Sequence, residues 1–97
     1  MANKLKTEEI NAGLESLPGW SLSDDKLRRE FKFKNFTEAF GFMAGAAIEA
    51  EKMNHHPEWF NVYNKVVVDL MTHEAGGITE LDLRLASKMN ELAGNRG

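Results

Sequence analysis

Apolar residues recur along this chain with two periods, and the changes of period divide it into elements. In TEEINAGLESLPGW, Ile10, Leu14 and Leu17 fall at i, i+4 and i+7, the spacing of one helix face. Thr7 is placed to cap this helix, Glu8 and Glu9 suit its first turn, and Pro18-Gly19 ends it. The period then drops to two. Trp20 and Leu22 lead into a polar turn, Ser23-Asp24-Asp25. Leu27, Arg29, Phe31 and Phe33 then alternate with Arg28, Glu30, Lys32 and Lys34, which predicts a strand with one buried face; Arg29 is the one polar member of the apolar row.

From about Thr37 to Asn54 the helical period returns. Phe36, Phe40, Met43 and Ala47 form one stripe, with Phe42, Ala46 and Met53 beside it. This apolar sector is wider than a helix on one sheet face needs, which fits either a core helix or one that also contacts a second subunit. Pro57 is expected to end the helix, because it disfavours helical geometry at His56.

WFNVYNKVVVDLMTH reads as a hairpin turning at Tyr63-Asn64-Lys65. Val66, Val68 and Leu70 would face one way, and Val67, Asp69, Met71 and His73 the other, with His73 ending the strand. After a loop at Glu74-Ala75-Gly76-Gly77, a last helix starts at Thr79, with Asp82 in place to complete a capping box and Leu81, Leu85, Met89 and Leu92 as its buried stripe. The GNRG tail, like the first few residues, is expected to fray. The order α-β-β-α-β-β-α, with hairpins and no crossover pattern, predicts a single α+β domain over residues 1–97, its helices packed on one face of an antiparallel sheet.

Composition narrows the function classes. Ninety-seven residues make a small domain with a modest core, and the absence of cysteine excludes disulfides, thiol nucleophiles and Cys-ligated zinc. Association with further copies would bury more apolar surface. The net charge of −3 argues against a broad phosphate-binding surface, and the basic residues of KLRREFKFK fall on an alternating strand that sends many of them to solvent. No apolar run reaches the ~20 residues of a membrane span, and MANKLKTEEI lacks the apolar core of a secretory signal. The expectation is an intracellular, cytoplasmic protein that binds neither membrane nor nucleic acid.

The candidate chemistry lies in KMNHHPEWFNVYN. Two of the chain's three histidines, His55 and His56, stand side by side at a helix end, and the third, His73, ends the hairpin that follows. Imidazole both gives and takes a proton near neutral pH, as eliminations and hydrations require. Asp82 could meet the histidines across the Gly76-Gly77 loop. The residues alone leave three readings open: a helix cap, a metal site and an acid–base site. Metal is disfavoured because adjacent side chains diverge and no pair of histidines at i, i+4 or H-E-x-x-H pattern is present.

EKMNHHPEWFNVYNKV followed by THEAGGITELDLRLA carries a more specific signal. An acidic residue, three intervening positions, a His-His-Pro run, an aromatic-rich strand, a third histidine and a later aspartate occur in order as Glu51, His55-His56-Pro57, Trp59 with Tyr63, His73 and Asp82. From about Trp20 to Leu92 the chain resembles the pterin-4a-carbinolamine dehydratases, also called dimerisation cofactors of a homeodomain transcription factor. The resemblance implies a four-stranded antiparallel sheet with three helices on one face, and dimers or tetramers formed through the central helix 37–54. It also implies dehydration of 4a-hydroxytetrahydrobiopterin to quinonoid dihydrobiopterin without metal or organic cofactor. On it, His55 and His73 would move protons, His56 would hold the pterin, and Asp82 and Glu51 would orient the imidazoles. Trp20, Pro57, Trp59 and Thr72 would help bind the substrate, Trp20 as a wall for the ring. A transcription-factor partner, and a nuclear location, are implied only for an animal protein. Asn54 stands where close relatives often carry aspartate, and Ala75 replaces the cysteine of animal members.

Overall fold

The computed structural model describes residues 2–94, so Met1 and residues 95–97 of the GNRG tail lie outside the described residues. The elements run α1 (Thr7–Leu14), β1 (Ser21–Ser23), β2 (Lys26–Lys32), α2 (Phe36–Met53), β3 (Glu58–Val62), β4 (Lys65–Leu70), a 3₁₀ turn (His73–Ala75) and α3 (Glu80–Ala93). The four strands form one antiparallel sheet in the order β1-β2-β4-β3. This is the expected α-β-β-α-β-β-α order.

Strand parity decides which residues form the core. Leu27 and Phe31 of β2 and Val66, Val68 and Leu70 of β4 are fully buried on one face, while Arg28, Glu30 and Lys32 point to the other. The buried face meets Ala39, Phe42, Ala46 and Ala50 of α2 and Leu85, Ala86 and Met89 of α3. Each large side chain in this layer contributes about 1.5–3 kcal/mol by leaving water. Arg29, the polar exception in its row, is held rather than solvated. Its guanidinium donates to the Pro18 carbonyl (3.1 Å) and the Asn90 Oδ1 (2.6 Å) and lies 4.2 Å from the Phe31 ring centroid. Burial lowers its pKa, as expected when the charged form loses water.

The turns follow their residues. Asp24 and Asp25 both take positive φ (52° and 62°), the two-residue geometry that matches strand twist. The second hairpin turns at Tyr63-Asn64 alone, since Lys65 already pairs with Val62. Several expected boundaries move. Lys6, not Thr7, is the N-cap of α1, because its backbone N–H donates to the Glu9 carboxylate (2.8 Å). β4 stops at Leu70, and His73 opens the 3₁₀ turn instead of ending the strand, because Thr72 and Gly77 bridge across that turn.

Of the two adjacent apolar stripes of α2, only one meets the core. Ala39, Phe42, Ala46 and Ala50 face the core, whereas Phe36 and Phe40 are about half exposed (50% and 56%). The small alanines let the helix lie close to the sheet, and the larger aromatics point outward.

One boundary positions the site. α2 ends at Met53 with Asn54 as its cap, close to the end the period predicts, but the stop is made by Asn54 rather than by Pro57. Asn54 adopts the left-handed conformation (φ 51°, ψ 44°), its N–H bonds the Glu51 carbonyl, and the His55 N–H reaches back to the Ala50 carbonyl (both 3.0 Å). These two bonds close the last helical turn and reverse the chain, which turns His55 inward. Pro57 then directs the chain into β3. A left-handed L-residue with a Cβ costs about 1–2 kcal/mol, which asparagine largely avoids and glycine removes. Asn54→Ala is therefore expected to lower unfolding free energy by about 1 kcal/mol and Asn54→Gly to leave it nearly unchanged, measured by urea denaturation.

Candidate active site

Three donors converge on one buried carboxylate. Asp82, fully buried in the first turn of α3, accepts from His55 Nε2 at Oδ1 (2.5 Å), and at Oδ2 from the Thr72 hydroxyl and the Thr79 backbone N–H (2.9 Å each). Each hydroxyl has one proton. With the Thr72 proton committed to Asp82, the 2.7 Å contact between the two threonines must be donated by Thr79. Thr79 Oγ1 in turn accepts from the Leu81 N–H (3.2 Å) and from the backbone of Asp82, the latter completing the expected capping box. The helix N-terminus favours a negative charge at this position. A carboxylate can only accept, so His55 Nε2 carries the proton and Nδ1 is the nitrogen left for chemistry.

The other two histidines also have carboxylate partners, in wetter surroundings. His56 Nε2 lies 2.8 Å from Glu51 Oε1, both exposed on the last turn of α2 and its exit. His73 Nε2 lies 3.2 Å from Glu58 Oε2, and Glu58 Oε1 accepts from Lys26 Nζ at 2.7 Å. The Lys26 hydrogen bond holds the Glu58 carboxyl below the usual carboxylate range, with a smaller contribution from His73. The same bond raises the Lys26 ammonium. For Glu58 the stabilisation is present above its ordinary pKa and lost as pH falls through the depressed one. For Lys26 it is present below the ordinary value and lost as pH rises through the raised one. The contact therefore acts across neutral pH.

The histidines share a cleft. His55, His56 and His73 line an opening of about 160 Å³ with Asn54, Met71 and Glu74. Next to it a hollow of about 230 Å³ adds Thr72, Met53, Leu81 and Ala2 around His55. A larger concavity, about 410 Å³, lies over the helix-free face of the sheet between Arg28, Glu30, Phe60 and Val67, and it shares Glu58 and Trp59 with the surroundings of His73.

Most residues singled out in the sequence meet here, but neither tryptophan lines the openings around the histidines. Thr72 lies behind His55, Glu51 holds His56, and Pro57 joins His56 to β3. Trp59 is half-buried opposite Val68, one residue beyond Glu58. Trp20 is placed differently from expectation. Its indole N–H donates to Asn90 Oδ1 (2.8 Å) and its ring packs edge-on to Phe31 in the core. Asn90 is two turns of α3, roughly 12 Å, from Asp82, so within this chain Trp20 supports the sheet rather than the cleft.

Glu58, Glu74 and Met71 were not foreseen. The signal for Glu58 lay in the second hairpin. The register Glu58↔Asp69 sets the start of β3 beside the end of β4, so the residues before β3 and after β4 emerge at one edge of the sheet.

Residues 3–92 match the family model described as pterin 4 alpha carbinolamine dehydratase. Two bacterial proteins provisionally named pterin-4-alpha-carbinolamine dehydratases are similar over nearly their whole length. The one from Solibacter usitatus is 54% identical over 96% of this chain and 98% of its own. The one from Rhizobium leguminosarum bv. trifolii is 55% identical over 97% and 95%. The crystal structure of a transcriptional coactivator/pterin dehydratase from Brucella melitensis superposes with a TM-score of 0.93 at 54% identity, covering 95% of this chain and all of that one.

The Asp82 network makes a stability prediction. Asp82→Ala removes the cap and strands the Thr79 N–H and the His55 ring, so unfolding free energy should fall by about 3 kcal/mol in urea titrations. Asp82→Asn, which can still accept from Thr72 and Thr79, should lose about 1–2 kcal/mol.

Proposed function

Because the chain belongs to the pterin-4-alpha-carbinolamine dehydratase family, we propose that residues 1–97 form a single dehydratase domain that eliminates water from 4a-hydroxytetrahydrobiopterin to give quinonoid dihydrobiopterin. The observation that carries this reading is the shared cleft, in which all three histidines of the chain meet, each backed by a carboxylate. The substrate bears a hydroxyl on C4a and a proton on N5. Removal of the N5 proton lets the nitrogen lone pair form the C4a=N5 bond as the C4a–O bond breaks, and the hydroxyl takes up a proton and leaves as water. Nothing is oxidised or reduced, so two proton-transfer groups and a pocket suffice, with no metal or organic cofactor.

In this reading His55 and His73 move the two protons. His55 is held rigidly by Asp82, so its Nδ1 is preoriented; His73 reaches the same opening from the other strand end. His56, exposed and held by Glu51, binds and orients the pterin. Thr72 lines the hollow beside His55, and Pro57 and Trp59 frame the entry to β3. The protein works in the cytoplasm, and in the nucleus as well if its source is an animal. Among the described residues no helix is long and apolar enough to cross a membrane.

A second role is favoured by one observation, the outward face of α2. Phe36, Phe40 and Ile48 lie exposed along it (50%, 56% and 62%), and the two phenylalanine rings pack against each other at 5.9 Å. Such a stripe suits a homodimer or homotetramer contact through α2, and in an animal protein the docking of a transcription factor.

In assays following decay of freshly generated carbinolamine, His55→Ala and His73→Ala should each lower kcat by about 10²-fold, whereas His56→Ala should chiefly raise KM. If both of the first two variants stay folded with full activity, the proton-transfer assignment is wrong. Phe40→Lys should dissociate the assembly in sedimentation while leaving dehydration by each subunit within about threefold.

A further inference from the structure

Two of the three carboxylates beside the histidines have an evident origin. Asp82 caps α3, and Glu51 lies on the turn of α2 that leads to His56. The third, Glu58, comes from a different element from its histidine and has a partner that neither of the others has. Its backbone is fixed as the first residue of β3, paired with Asp69. Lys26, from the first position of β2, reaches across β4 to bind Oε1 at 2.7 Å. That leaves Oε2 facing His73 Nε2.

We propose that Glu58 is a positioning residue for His73: anchored by Lys26, its carboxylate sets how the His73 imidazole enters the shared cleft. The reasoning is geometric. His73 is 74% exposed on a 3₁₀ turn, a place where an imidazole would otherwise sample several rotamers. A carboxylate accepts only, so the contact requires the proton on Nε2 and leaves Nδ1 as the nitrogen free for exchange, the same division Asp82 imposes on His55. An unanchored glutamate would gain little from such an exposed contact and would wander with the ring. With one oxygen held by Lys26, much of the ordering is done before His73 arrives. The pair adds little to stability, so its effect belongs in ring orientation and turnover rather than in unfolding.

The kinetic part of this inference rests on the dehydratase reading, whereas the ring contact does not. The test combines carbinolamine dehydration kinetics with ring-nitrogen NMR on the wild type, Glu58→Ala, Glu58→Gln, Lys26→Met and the double variant Glu58→Ala/His73→Ala. Glu58→Ala should move the His73 ring ¹⁵N shifts while leaving those of His55 and His56 in place. It should lower kcat about tenfold with KM within about twofold, less than full loss of an acid–base group because the pair is exposed. Glu58→Gln, whose amide oxygen still accepts from Nε2–H, should keep kcat within about threefold, and Lys26→Met should fall between the two. In a His73→Ala background, Glu58→Ala should add less than about twofold, because the residue acts only through that ring. Unchanged His73 shifts in Glu58→Ala, or a full additional loss in the double variant, overturns the proposal. Should the wild type show no dehydration, the dehydratase reading fails separately, and the ring shifts still uphold or overturn the placement of His73 by Glu58.

Discussion

The buried Asp82 carboxylate is the interaction on which both the fold and the cleft depend. A carboxylate out of water is costly unless several donors replace its hydration. Here the donors come from three places: the ring of His55 after α2, the hydroxyl of Thr72 after β4, and the backbone of Thr79 at the start of α3. The requirement to satisfy one anion therefore ties together three chain segments that sequence separates by up to 27 positions. Among the described residues no buried side-chain nitrogen or oxygen lacks a partner. The same carboxylate caps the helix through one oxygen and orients the imidazole through the other, so stability and the proposed chemistry draw on a single network.

Around that centre the histidines form a gradient of rigidity. His55 is 7% exposed and held by a buried anion. His56 and His73 point toward solvent, with their carboxylates also in reach of water. A rigid imidazole offers a preoriented nitrogen, whereas an exposed one can adjust to a bound ring. The geometry comes from two backbone devices. The left-handed Asn54 turns His55 inward, and the register of the second hairpin returns His73 to the same edge.

The rest of the chain supplies a platform. The sheet buries a tight aliphatic and aromatic layer on one face and carries charged pairs such as Arg28–Asp69 on the other. α2 serves two purposes along its length. Its alanines permit close approach to the sheet, and its phenylalanines remain outside, where a small domain has the most to gain from association.

The sequence by itself determined the order and type of the elements, because strand and helix periods are local properties that survive in a one-dimensional pattern. It also revealed the capping box of Thr79 and Asp82, set by spacing within a single helix turn, and the set of histidines, set by composition. It misjudged what depends on position in space. Phe36 and Phe40 lay on an apolar stripe as regular as that of Phe42 and Ala46, and periodicity cannot say which of two adjacent stripes meets the sheet. The period placed the end of α2 near Asn54, but it could not show that Asn54 itself, in a left-handed turn, rather than Pro57 makes the stop. Trp20 carried no mark of its partner Asn90, which lies 70 residues away. Only the tertiary structure decided that Asp82 faces His55 and that Glu58 faces His73. Those contacts are made by the convergence of strand ends and a helix start, and side-chain direction at such junctions follows from packing rather than from any repeat along the chain.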